Sequence, residues 1–198
     1  MFTGIVKELG LIESVNSENN ILKVAISSLN SIKKLNIDDS VSVNGICLTV
    51  TKKIDQIFEA QIIEETISKT TAGFWKPLEK VNLETSLQLN DGLSGHLVQG
   101  HVDGIGEIVG RSENSDSSVV LRVRPNPDLL IYIVNKGSIT LDGVSLTVSD
   151  VDDEYFEVSL IPHTLSATTL GFKDIGELIN VEVDVIAKYV SNYMNNLN

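Results

Sequence analysis

Short bursts of alternating or continuous apolar residues, each closed by a turn signal, run along this chain. Period-two alternation marks a half-buried strand, and a short apolar run between turns marks a fully buried one. On that pattern the first half is expected to form strands over residues 4–13, 21–25, 40–43, 46–52, 58–63 and 80–84. The second half repeats the order over residues 102–109, 119–123, 138–141, 144–148, 156–160 and 178–183. Helical pieces are brief: turns at 27–34 and 66–72, and a segment over 128–134 with Pro127 near its start and Gly137 past its end. Asn44-Gly45 and Asp142-Gly143 each separate two strands. Such pairs suit a tight two-residue turn, whose central residues both need positive φ. Many short strands with frequent turns predict an all-β fold of small antiparallel barrels or sandwiches.

The repetition extends to the residues themselves. Ser40-Val-Ser-Val-Asn-Gly-Ile-Cys-Leu-Thr-Val50 returns as Ser138-Ile-Thr-Leu-Asp-Gly-Val-Ser-Leu-Thr-Val148, an offset of 98 positions. At the same offset Glu65-Thr66 matches His163-Thr164, Thr70-Thr71 matches Thr168-Thr169, and Val81-Asn-Leu-Glu84 matches Ile179-Asn-Val-Glu182. A long unit occurring only twice indicates a duplicated domain rather than a solenoid of short repeats. The expected domains are residues 1–88 and 96–184, joined by a linker over 87–95, with 185–198 as an added tail. Two like domains suggest two like pockets.

The tail has no counterpart in the first copy. Asp184 can cap a helix. Ile186, Val190, Tyr193 and Leu197 then fall on one helical face. Such a stripe either packs on its own barrel or associates with copies of itself.

Charge narrows the partners. With 15 basic against 27 acidic residues the net charge is −12, which argues against nucleic acid and anionic membrane surfaces. No apolar run approaches a membrane span, and the N-terminus lacks the basic and apolar regions of a signal peptide. The single cysteine, Cys47, excludes an internal disulfide and a cysteine-cluster metal site. A cytoplasmic protein without metal or cofactor is the expectation.

Candidate chemistry lies where the copies differ. Gly4-Ile-Val6 aligns with Gly100-His-Val102, so His101 replaces Ile5; Cys47 faces Ser145 and Glu65 faces His163. His96 stands just before the second copy. Each has a bland explanation as a hydrogen-bonded structural histidine or an inert small hydrophobe. Together they cluster in a few segments. Gly100-His-Val102, Ser145-Leu-Thr147 and Ile161-Pro-His-Thr164 are expected around one pocket; Gly4-Ile-Val6, Cys47-Leu-Thr49 and Ile62-Ile-Glu-Glu-Thr66 around its twin. Hydroxyls with strand backbone groups suit a flat polar heterocycle bearing a hydroxylated chain. A neutral histidine suits removal of a weakly acidic carbon-bound proton. No Gly-rich phosphate loop or Gly-x-Ser-x-Gly elbow is present.

Met1-Phe-Thr-Gly-Ile-Val6, Ser42-Val-Asn-Gly-Ile-Cys-Leu-Thr-Val50, Gly95-His-Leu-Val-Gln-Gly-His-Val-Asp-Gly104, Gly137-Ser-Ile-Thr-Leu-Asp-Gly-Val-Ser-Leu-Thr-Val148 and Ser159-Leu-Ile-Pro-His-Thr164 resemble the riboflavin synthase family of the alpha-chain type. The resemblance covers essentially the whole chain. It implies two tandem six-stranded antiparallel Greek-key barrels and a C-terminal helix that holds a homotrimer. It implies a transferase reaction in which two 6,7-dimethyl-8-ribityllumazine molecules exchange a four-carbon unit, giving riboflavin and 5-amino-6-(D-ribitylamino)uracil, with no cofactor or metal. It further implies a site formed between the first barrel of one subunit and the second barrel of its neighbour. Association with lumazine synthase is left open.

Carried over, the resemblance assigns the first pocket to Gly4, Ile5, Val6, Cys47, Leu48, Thr49, Gln61, Ile62, Ile63, Glu64, Glu65 and Thr66. It assigns the second to Gly100, His101, Val102, Lys136, Ser145, Leu146, Thr147, Ile161, Pro162, His163, Thr164, Leu165 and Ser166. His101, with Ser145 and Thr147, is expected to handle the proton of the acidic 7-methyl group. Cys47, with Ser40, is expected to activate or deliver a nucleophile, and His96 and Asp184 to support the site. Ser94 and Pro77-Leu-Glu-Lys80 depart from the family pattern as loop variation. The rival reading is a non-catalytic lumazine or flavin carrier on the same fold; such relatives tend to lose the histidine-bearing segment that this chain keeps.

Overall fold

The structure is a computed structural model that describes residues 1–196. Twelve strands form two closed antiparallel barrels. The first holds β1 (Glu8–Glu18), β2 (Ile21–Ser27), β3 (Ser40–Val43), β4 (Ile46–Ile54), β5 (Ile57–Ile62) and β6 (Lys80–Thr85), in the order β1-β2-β5-β4-β3-β6. The second holds β7 (Gly104–Glu113), β8 (Val119–Arg124), β9 (Ser138–Leu141), β10 (Val144–Val151), β11 (Phe156–Leu160) and β12 (Leu178–Val183), with the same Greek-key connectivity. Closure leaves neither sheet with an unpaired edge. The helical pieces are α1 (Ser31–Lys34), α2 (Glu64–Lys69), α3 (Pro162–Ala167) and α4 (Val185–Asn195), with short 3-10 segments at Thr71–Phe74, Pro127–Tyr132 and Thr169–Gly171.

The alternation has a direct structural meaning. Val41, Val43, Ile46, Leu48 and Val50 point into the first barrel and are buried with Phe58, Val81 and Leu83. Ile139, Leu141, Val144 and Val148 do the same in the second, around Phe156 and Leu121. The interiors are therefore filled mostly by aliphatic side chains, with Phe58 and Phe156 among them. Ser40, Ser42, Cys47 and Thr49, and their counterparts Ser138, Thr140, Ser145 and Thr147, face outward because side chains alternate across a strand. Any pocket these residues line lies on the outer wall of a barrel.

The two Gly-containing turns meet between the barrels. Asn44 (φ 45°) and Gly45 (φ 81°), and Asp142 (φ 43°) and Gly143 (φ 77°), adopt the left-handed conformations that a two-residue hairpin requires. A Cβ on Gly45 would come within 2.8 Å of the Gly143 nitrogen, and one on Gly143 within 2.7 Å of the Gly45 nitrogen. Around this contact a reciprocal network ties the halves. Asn82 Nδ2 donates to the Asp142 carbonyl at 2.8 Å and Asn180 Nδ2 to the Asn44 carbonyl at 2.8 Å. The N–H groups of Thr169 and Thr71 donate to Asn82 Oδ1 and Asn180 Oδ1.

Strand 4–13 was expected to begin at Gly4, and its twin at Val102. The strands instead begin at Glu8 and Gly104. The reason is an exchange. The Lys7 and Asp103 N–H groups still donate to the Leu83 and Val181 carbonyls of their own barrels, but the residues ahead of them reach across to the other one. Phe2 and Val98 pair in an antiparallel bridge where the two segments pass. Val6 then packs on the second core and Val102 on the first.

Helix α4 forms as Asp184 predicts: its carboxylate accepts the Ile186 N–H at 2.9 Å. Ile186, Val190 and Tyr193 are 59%, 57% and 65% exposed, so the apolar stripe is not packed on its own barrel. Leu197, expected to continue it, lies outside the described residues.

Candidate active site

The crossing segments build the site. The Ser145 N–H donates to the Gly4 carbonyl at 2.8 Å, and the Cys47 N–H donates to the Gly100 carbonyl at 2.8 Å. The segment Gly4-Ile-Val6 therefore lies on the Ser145 wall of the second barrel, and Gly100-His-Val102 lies on the Cys47 wall of the first. This corrects the expected grouping, which placed Gly4 to Val6 with Cys47 and Gly100 to Val102 with Ser145. Sequence alignment pairs equivalent residues but cannot see that each strand-leading segment has changed barrels. Gly4 and Gly100 are required here. Their φ values are +75° and +77°, and a Cβ would approach Ser145 Cβ to 2.5 Å and Cys47 Cβ to 2.7 Å.

One pocket of about 480 Å³ is lined by Cys47, Glu65 and Thr66 of the first barrel and by Gly100, His101 and Val102 of the crossing segment. His101 lines this pocket with Cys47; Ser145 and Thr147, its expected partners, do not. Lys69, Thr70, Asp103 and Lys188 also line it. Lys188 of α4 pairs with Asp103 Oδ1 at 2.7 Å, so the C-terminal helix touches this pocket through an ion pair. Leu48 and Ile62 belong to the barrel core and are 4% and 1% exposed, so their side chains do not reach the pocket. Thr49, Gln61, Ile63 and Glu64 are exposed. Ser40 pairs in register with Thr49, while Cys47 faces Ser42; Ser40 is the diagonal neighbour of Cys47 on the outer face.

The second wall is richer in hydrogen bonds. His96 is half-buried, with Nδ1 2.7 Å from Ser145 Oγ and Nε2 3.2 Å from Thr140 Oγ1. Burial pushes the imidazole below its ordinary range, against the opposing pull of the Asp184 carboxylate. A neutral imidazole donates at one nitrogen and accepts at the other, so Thr140, His96 and Ser145 form a chain along which a proton can be held or moved. His96, expected as a supporting residue, is thus the histidine in direct contact with Ser145. Of the other residues expected on this wall, Thr147, Lys136, Ile161, Pro162, His163 and Ser166 are exposed; Thr164, Leu165 and Leu146 are half-buried, and the last two pack on the core.

Glu84 and Glu182 were not among the expected site residues. Glu84 accepts the N–H groups of Thr3 and Gly4 at 2.7 and 2.9 Å. Glu182 accepts those of Gln99 and Gly100 at 2.7 and 3.0 Å. Burial raises both carboxyls above their ordinary range, opposed by these donors. The sequence does carry a signal: Asn-x-Glu recurs at the same place in β6 and β12, as Asn82-Leu-Glu84 and Asn180-Val-Glu182.

Known proteins fit this arrangement. The model of the lumazine binding domain matches residues 3–86 and again 99–184. The riboflavin synthase of Mycobacterium tuberculosis (strain ATCC 25618 / H37Rv) is 43% identical over 198 residues, covering 98% of both chains. Those of Actinobacillus pleuropneumoniae and Bacillus subtilis (strain 168) are 41% and 39% identical, covering 98% and 100% of this chain and 90% and 92% of theirs. Among solved structures, LumP complexed with riboflavin aligns with a TM-score of 0.85 at 25% identity, over 92% of this chain and 99% of that one. LumP complexed with 6,7-dimethyl-8-(1'-D-ribityl) lumazine aligns with a TM-score of 0.84 at 22% identity over the same shares.

Proposed function

The chain belongs to the riboflavin synthase family, built on paired lumazine-binding domains, and from that premise we propose how its two walls divide the reaction. It is an enzyme that dismutates two 6,7-dimethyl-8-ribityllumazine molecules. One molecule gives up a four-carbon unit and leaves as 5-amino-6-(D-ribitylamino)uracil; the other receives the unit and becomes riboflavin. The observation that carries this reading is the like construction of the two walls: each is an outward strand pair covered by a glycine segment from the other half. A reaction between identical substrates needs two such seats. Holding the rings together supplies part of the barrier, by the proximity that gives up to about 7–11 kcal/mol in well-oriented intramolecular reactions.

The unlike residues then separate the roles. On this reading His96 and Ser145 of the second wall take the 7-methyl proton of one lumazine, a role that their 2.7 Å contact supports. Cys47, which shares its pocket with His101 and has Ser40 as its diagonal strand neighbour, then delivers a nucleophile to the other. Because His101 lines the Cys47 wall, its partnership with Ser145 and Thr147 is one made across neighbouring subunits. That partnership, together with the uncovered apolar stripe of α4, supports a homotrimer in which the first wall of one chain faces the second wall of the next. The assembly is cytoplasmic, where such a precursor is made, and contact with lumazine synthase would hand the substrate across.

The test is direct. The purified protein is mixed with the lumazine alone and riboflavin absorbance is followed. Steady appearance of riboflavin is expected. Bound but unconverted lumazine would mean a carrier instead.

A further inference from the structure

The two buried glutamates hold something other than their own barrels. Glu84 stands on β6 and Glu182 on β12, each 3% exposed, the first next to Leu83 and the second between Val181 and Val183, all of which face the core. A buried carboxylate is costly unless its oxygens are satisfied. Here they are satisfied by backbone N–H groups of the crossing segments. At Glu84, Oε1 takes the Thr3 N–H and hydroxyl, both at 2.7 Å, and Oε2 takes the Gly4 N–H. At Glu182 the two oxygens take the successive N–H groups of Gln99 and Gly100. Two adjacent N–H donors call for a bidentate acceptor, and a carboxylate is the side chain that offers two acceptors and no donor.

The connection is crossed. Glu84 belongs to the first barrel, yet the segment it grips lies on Ser145 of the second. Glu182 belongs to the second barrel, yet the segment it grips lies on Cys47 of the first. Resting on the functional reading above, we propose that Glu84 and Glu182 are positioning residues, each latching the segment that completes the substrate seat on the opposite barrel. Neither touches the substrate. Each acts through the backbone of Gly4 or Gly100.

The crossing makes the proposal testable without turnover. Cys47 is the only cysteine, and Gly100 lies against it. Modification of Cys47 by an aromatic disulfide reagent, in the absence of lumazine, reads whether the segment is seated. Glutamine keeps the shape of Glu182 but turns one acceptor into a donor facing an N–H. Glu182→Gln is expected to speed Cys47 modification about tenfold or more, the scale of one lost charge-assisted hydrogen bond. Glu84→Gln, though nearer in sequence and in the same barrel as Cys47, is expected to leave that rate unchanged. Both should lower kcat. Glu182→Asp, which retains two acceptors, should restore part of the protection. Should Glu182→Gln not fold, Gly100→Ala displaces the segment with the carboxylate intact and must give the same acceleration. Equal acceleration in both glutamine variants, or none in Glu182→Gln and Gly100→Ala, overturns the latch. A wild-type protein that makes no riboflavin would overturn the functional reading and leave the thiol result standing.

Discussion

The His96 imidazole and the Ser145 hydroxyl are 2.7 Å apart, and they come from opposite ends of a crossing: His96 from the segment leaving the linker, Ser145 from the outward face of β10. The burial of His96 sets an acid limit. Burial depresses the folded imidazole below its unfolded value of about 6.5. As pH falls through that value the unfolded chain takes up the proton first, so stability declines from there down to the folded value. His96→Gln should flatten this decline in unfolding measured between pH 8 and pH 5. It should also cut turnover by about a hundredfold, the scale of lost general acid–base catalysis. An unchanged acid slope would remove His96 as its source.

Asp142 and Asn44 solve one problem in two ways. Each accepts a strand N–H through Oδ1, from Asn180 at 2.8 Å and from Asn82 at 2.7 Å. Asp142 adds a fully buried charge, with Lys173 Nζ 3.5 Å from Oδ2. Burial raises its carboxyl, with the Lys173 ammonium opposing. A raised folded value means that the group's stabilisation is full below about pH 4 and lost as pH rises through the folded value. Asp142→Asn should therefore gain on the wild type as pH rises, in denaturant unfolding at pH 5 and pH 8. Lys173→Met alone strands the buried carboxylate and should cost about 3 kcal/mol; adding Asp142→Asn should recover much of it. A double variant no better than Lys173→Met would contradict this.

The stripe on α4 predicts assembly. Val190→Glu places a charge in the middle of an apolar face that Ile186 and Tyr193 continue. Light scattering should give a trimer for the wild type and a monomer for the variant, and the monomer should lose turnover because its two walls no longer face a neighbour. A wild-type monomer that turns over normally would contradict the trimer.

His101→Gln should lower turnover while leaving lumazine affinity largely intact, since the residue is exposed at the rim of the Cys47 pocket. Steady-state kinetics with a binding titration separates the two effects. Unchanged turnover takes His101 out of the mechanism.

Much of this molecule could be read from residue order. Period-two alternation and the Asn-Gly and Asp-Gly turns located the strands of both barrels, because inward aliphatic packing imposes that pattern directly. The repeat located two walls, because equivalent outward positions carry Cys47 and Ser145. The exchange was not legible. Gly4 and Gly100 announce a close approach, but nothing in their neighbours says which barrel is approached. That depends on backbone hydrogen bonds to Ser145 and Cys47 and on the grip of Glu84 and Glu182, all distant in sequence. For the same reason residue order groups His101 with Ser145, whereas it lines the Cys47 pocket and His96 is the histidine that reaches Ser145.

A structure of the protein with a non-reactive lumazine analogue measures the central claim most directly. It should hold two analogues per chain, one touching Cys47 with Gly100 and His101, the other touching Ser145 with Gly4 and Ile5. A single occupied wall, or an analogue bridging Gly4 to Cys47, would contradict the exchanged, paired seats.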